Sequence, residues 1–159
     1  MKDINPHPID HLDEDPVELR RLLALIPEHF GENWLRQQSQ HPVGTLWARR
    51  DALASNELII LASALDWARA AHEHWLTRQI KAIKDKDTNN RRGAMLELIA
   101  LYMLRNSGVK TAPTPKNTPG YDVHVTFKDG AEASISVKDY GMSEHERKFK
   151  GEAKKLQSA

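Results

Sequence analysis

The segment from Tyr121 to Tyr140 constrains this chain more tightly than any other. YDVHVTF alternates apolar and polar residues, Lys128-Asp129-Gly130 follows, and EASISVKDY alternates again. Two period-two runs around an Asp-Gly turn close most simply as an antiparallel hairpin. Tyr121, Val123, Val125 and Phe127 then share one face, with Asp122, His124 and Thr126 on the other. On the return strand Ile135 and Val137 oppose Ser134, Ser136 and Lys138. Joining the apolar faces in one core leaves Asp122, Ser136 and Lys138 together. A carboxylate and an ammonium in that position call for something between them.

The flanks of the hairpin add a helix on each side. GAMLELIALYMLRNSG reads as a strong helix, with Ala94, Leu98 and Leu101 spaced for burial and Asn106 and Gly108 as its stop. Val109 to Thr111 suits a short strand, PTPKNTPG a loop, and SEHERKFKGEAKKLQ a final polar helix. Glu97 falls mid-helix, where packing across the sheet can bring it to Asp122. The order is helix, strand, hairpin, helix.

The front of the chain is helical. Residues 1–15, with two prolines and an acidic cluster, read as a flexible lead-in. Asp15 and Pro16 open a helix expected to end near Pro27. A short helix is expected within Glu32 to Gln40, a connector at His41 to Gly44, and another helix opened by Thr45 through WARRDALAS. Asn56 to Ile83 is the longest periodic run, and the polar stretch from Asp85 to Asn90 interrupts it. The expected division is therefore a lead-in at 1–15, a helical domain at 16–88 and a mixed domain at 89–159.

Composition narrows the chemistry. Of 159 residues 28% are charged and 40% hydrophobic, which suits a globular fold rather than a disordered chain. The absence of cysteine excludes disulfides, thiolate nucleophiles and cysteine-bound zinc. No apolar run is long enough to cross a bilayer, and no signal peptide is evident at the N-terminus, so a cytoplasmic location or delivery into a target cell's cytoplasm is expected. Residues 84–159 carry fourteen basic and ten acidic side chains, a mild bias toward a polyanion.

Two carboxylates, a strand carbonyl and water make an oxygen-rich cradle for a divalent cation. A cation so placed polarises a phosphate, and a lysine beside it can orient water or stabilise developing charge. Ser136 lacks a histidine placed to activate it and reads as a hydrogen-bonding neighbour of the site. The plain structural alternative is a surface ion-pair cluster on an exposed sheet face.

These residues resemble the PD-(D/E)XK, or restriction-endonuclease-like, nuclease superfamily. The likeness is carried by Glu97 in its helix, by Pro119-Gly120-Tyr121-Asp122 opening a strand, and by Ser136-Val137-Lys138 ending the next. It covers about 65 residues, and the element order around the motif raises its value. The resemblance implies metal ligation by Glu97 and Asp122, and a catalytic group of Glu97, Asp122, Ser136 and Lys138. Ser136 stands where the family usually has Glu or Asp. Some toxin nucleases of contact-dependent growth inhibition systems are similar in this respect, and their metal is often zinc.

The implied fold is an α/β (α+β) chain, a helical front part followed by a restriction-endonuclease-like core that ends before the family's last strand. The implied activity is a metal-dependent endonuclease, using Mg²⁺ or Mn²⁺ with Zn²⁺ as a further option, and a toxin or defence effector by analogy. Its expected partner is nucleic acid, double-stranded DNA ahead of RNA through the resemblance alone. Arg91, Arg92, Lys116, Asn117, Arg147, Lys148 and Lys150 are candidate phosphate contacts. A protein partner or a homodimer could use the helical part. The alternative is a catalytically silent domain of the same fold that binds nucleic acid or protein.

Overall fold

A computed structural model describes residues 7–38, 40–115 and 119–138. Among these, five helices precede a small sheet: α1 (Pro16–Phe30), α2 (Glu32–Gln37), α3 (Pro42–Ala48), α4 (Ala52–Ile83), α5 (Thr88–Asn106), β1 (Lys110–Pro113), β2 (Val123–Thr126) and β3 (Glu132–Ile135). The strands form an antiparallel meander in the order β1-β2-β3. The fold is mixed α/β, with a helical front and a hairpin behind it. The helix expected over residues 143–157 lies outside the described residues. Among the described residues no helix is long and apolar enough to cross a membrane.

Several boundaries differ from the sequence expectation, each for a local reason. Asp15 caps α1 through a 2.9 Å bond from the Val17 amide, with Pro16 in the first turn. The helix then continues through Pro27 instead of stopping there. Proline removes one backbone donor, but buried Ile26 and Phe30 hold the last turn, and the Gly31 amide closes it on the Pro27 carbonyl. Residues 42–44 are helix, not connector. His41 caps them with Nδ1 accepting from the Val43 amide, and Pro42 occupies the first turn. The helix expected through Ser55 breaks at Arg49 to Asp51, because Asp51 caps the start of α4 through the Ala54 amide. α5 begins at Thr88, where the Asp87 carboxylate accepts from the amides of Asn89 and Asn90.

α4 is the spine. Its first half, Ala54 to Ala68, is buried on a broad face whose small residues let α1 approach closely. At His72 the backbone departs from helical geometry (φ −146°, ψ 46°), and beyond this kink the buried stripe narrows to Leu76, Gln79 and Ile83. α5 packs on this second half and has two apolar attachments. Ala94 and Leu98 join the core of α1 to α4, while Leu101 lies against Val123 and Val125 of β2. Trp67 and Trp75 of α4 touch both clusters. A fully buried leucine contributes about 1.5–3 kcal/mol, against about 1 kcal/mol for a helix cap. Burial of Leu98 and Leu101 therefore positions α5 more firmly than its termini do.

Two features of the helical part yield measurable consequences. A Cβ added at Gly44 would collide with the backbone carbonyl of Gln38. Gly44→Ala should therefore destabilise the protein by about 2 kcal/mol or more, seen as a lower urea midpoint.

The buried histidines set an acid limit. His41 spends both ring nitrogens, Nδ1 on the Val43 amide and Nε2 on the Ile83 carbonyl at 2.7 Å, a pattern only the neutral ring with its proton on Nε2 can make. His7 accepts from the Arg50 guanidinium at 2.8 Å, and burial followed by the Arg50 and Arg20 charges holds its pKa down at about 4, from an ordinary value of 6.5. Burial lowers His29, His41 and His72 as well. The unfolded chain takes up these protons first. Their contribution is intact above about pH 6.5 and is lost as pH falls toward about 4. Urea midpoints should fall between pH 7.5 and pH 5.0, and a flat profile there would contradict the assignment.

Candidate active site

The site forms at the open end of the hairpin. The β2–β3 ladder pairs Val123 with Ile135 and His124 with Ser134, so its continuation sets Asp122 opposite Ser136. The Asp122 amide donates to the Ile135 carbonyl at 2.9 Å, and the Thr114 amide donates to the Asp122 carbonyl at 3.1 Å. Asp122 is thus tied to strands on both sides although it lies one residue before β2. Its Oδ2 accepts from the Val137 amide at 2.8 Å and from the Ser136 hydroxyl at 3.3 Å. Lys138 Nζ stands 4.0 Å from the same oxygen and is 60% exposed. These groups gather beyond the paired ladder, at its end, rather than on the open polar face that alternation alone suggests.

Glu97 comes from α5. Leu101 anchors that helix against Val123 and Val125 of β2, and Glu97, about one helical turn earlier, lines a cavity together with Asp122. The Gln79 side chain of α4 donates from Nε2 to Glu97 Oε2 at 2.5 Å. Glu97 is half-buried, and burial pushes its carboxyl above the usual range. The Gln79 hydrogen bond draws it back down, the Asp122 charge adds to the rise, and Lys138 opposes it.

These residues line a cavity of about 430 Å³. Glu97, Asp122 and Lys138 face it, with Val137 beside them, and Gln79, Asp85, Asn89 and Asn90 supply further polar wall from the α4–α5 junction. Ser136 acts on Asp122 and is not part of the wall. Among the described residues no group of three His, Asp or Glu side chains is close enough to hold a metal by itself. Two carboxylates do suit a hard, partly hydrated cation such as Mg²⁺, which keeps several waters and takes one or two carboxylates together with substrate phosphate.

The remaining candidates are placed as follows. Arg91 is half-buried on α5, close enough to His41 to depress its pKa, and its Nε is buried without a hydrogen-bond partner among the described residues. It does not line the cavity. Arg92 is exposed on α5. Lys116, Asn117, Arg147, Lys148 and Lys150 lie outside the described residues. His124 is 3.7 Å from Glu132 across the hairpin and is also outside the cavity wall. Sequence reasoning missed Gln79, Asp85, Asn89 and Asn90. For Gln79 a signal existed: it is a polar residue at 79 between Leu76 and Ile83, where helical spacing asks for an apolar one.

No family model matches the chain, and neither a curated protein nor a solved structure is significantly similar to it.

The two bonds at Asp122 Oδ2 separate its structural role from its charge. Asp122→Asn keeps an acceptor for the Val137 amide and should cost well under 1 kcal/mol. Asp122→Ala strands that half-buried donor and should cost about 1–2 kcal/mol, with faster hydrogen exchange at the Val137 amide as the local readout.

Proposed function

We propose that this protein is a divalent-cation-dependent phosphodiesterase that cuts nucleic acid, built on a restriction-endonuclease-like core. The observation that carries the reading is the way its two carboxylates are held. Oδ2 of Asp122 is bound by the Val137 amide and the Ser136 hydroxyl, and Oε2 of Glu97 by the Gln79 amide, all neutral donors. Neutral donors fix the orientation of a carboxylate without cancelling its charge. Lys138, the one cation lining the cavity among the described residues, stays mostly exposed at the limit of ion-pair distance. A cluster built only for stability would bring it closer.

The roles follow from these positions. Glu97 and Asp122 would hold the cation. When bound, such an ion neutralises phosphate charge and makes water a better nucleophile. Lys138, at the rim, is placed to hold a phosphate oxygen and to stabilise charge that develops on it. Ser136 keeps Asp122 in register and touches no reacting atom. An all-oxygen pair of ligands favours Mg²⁺ or Mn²⁺, with Zn²⁺ kept open by the toxin nucleases the motif resembles. Preference for DNA over RNA, and a role as toxin or defence effector, rest on that resemblance alone.

One observation favours a second reading. Where the family pattern has a third acidic group, Ser136 donates its hydroxyl to Asp122. That suits a nuclease-fold domain that binds nucleic acid or a protein partner without cutting.

Incubation of the purified chain with supercoiled plasmid and with total tRNA, under Mg²⁺, Mn²⁺ or Zn²⁺, decides between them. Cation-dependent cleavage is expected, with Lys138→Ala and Asp122→Asn each lowering the rate by about 10²-fold or more. A folded protein that cuts neither substrate with any of the three metals would move the assignment to the binding domain.

A further inference from the structure

We infer that Gln79 of α4 is a positioning residue of this site, through which the helical front part takes a direct share in cation binding. The inference rests on the cation-binding reading given above and adds to it a component from outside the hairpin and its flanking helix.

Three observations converge on Gln79. It is 7% exposed, on a stripe where Leu76 and Ile83 are buried against the rest of the protein. Burying a primary amide on such a stripe is unfavourable unless its polar atoms are used. Its Nε2 is used on Glu97 Oε2, eighteen positions later in the chain and on another helix. It also lines the same cavity as Glu97, Asp122 and Lys138.

The choice of an amide has a chemical logic. A free glutamate side chain samples many rotamers, and ordering it for a cation would weaken binding by roughly tenfold. A donor already holding Oε2 removes that cost before the cation arrives. An arginine or lysine could hold it too, but its charge would compete with the cation for the carboxylate. Leucine or methionine would fill the space and leave Glu97 unheld. Glutamine fills the space, donates, and stays neutral.

The test uses the full chain and Mn²⁺ as the probe. Gln79→Met keeps length and volume while removing the donor. Its Mn²⁺ dissociation constant, read by electron paramagnetic resonance, should rise about tenfold, and side-chain ¹³C couplings should show Glu97 passing from one rotamer to an average. A double-mutant cycle separates positioning from general loosening. In a Glu97→Gln background, Gln79→Met should cause no further loss of Mn²⁺ affinity, whereas a merely structural effect would add to it. Failure of the unaltered protein to bind Mn²⁺ would sink the cation reading, and the Glu97 rotamer measurement would still judge Gln79. If Glu97 keeps a single rotamer in Gln79→Met, the positioning role is wrong.

Discussion

The attachment of α5 to two separate apolar clusters governs the architecture. Ala94 and Leu98 face the helical core, and Leu101, less than one turn later, faces β2. Nothing else in the described chain joins the front helices to the sheet so directly, although Trp67 and Trp75 reinforce the seam from α4. Glu97 falls between these anchors. Its height over the sheet and its distance from α4 are both fixed by burial of its neighbours, so the carboxylate is placed by hydrophobic packing well before any ligand is considered.

The sheet end of the site has a different foundation. Asp122 is fixed by main-chain bonds to Thr114, just past β1, and to Ile135 of β3, and by two donors on its side chain, at the open end of a hairpin whose tip turns on Gly130 at φ 84°. Packing thus sets where the Glu97 backbone stands and the hairpin ladder where Asp122 stands, while hydrogen bonds orient both carboxylates. Burial raises the proton affinity of Glu97, and both carboxylates line the same cavity.

Much of this was legible from residue order. Alternation in 121–138 carries the hairpin, and its register, set by the Lys128-Asp129-Gly130 turn, brings Asp122 opposite Ser136. The burial spacing of Ala94, Leu98 and Leu101 was also visible. What escaped was everything decided by contacts distant in sequence. Pro27 reads as a stop, yet Ile26 and Phe30 are buried deeply enough to carry α1 past it. His41 and Pro42 look like a connector until the Ile83 carbonyl, forty-two residues on, fixes the imidazole as a cap. Gln79 stands out as a polar residue on an apolar stripe, but its partner Glu97 comes from α5, eighteen residues on. Even the position of the site at the sheet's end follows from where pairing stops, which alternation does not encode.

The kink at His72 has a bearing on the site that distance conceals. No residue at the kink touches the cavity, yet the kink sets the direction of the half of α4 that carries Gln79. The seven residues from His72 to Gln79 make an arm of about 10 Å. A swing of about 5° at its base moves the far end by about 1 Å, more than the tolerance of a good hydrogen bond. α4 therefore behaves as a lever with its fulcrum at His72, and the bend in a scaffold helix becomes part of the machining tolerance of the carboxylate it reaches.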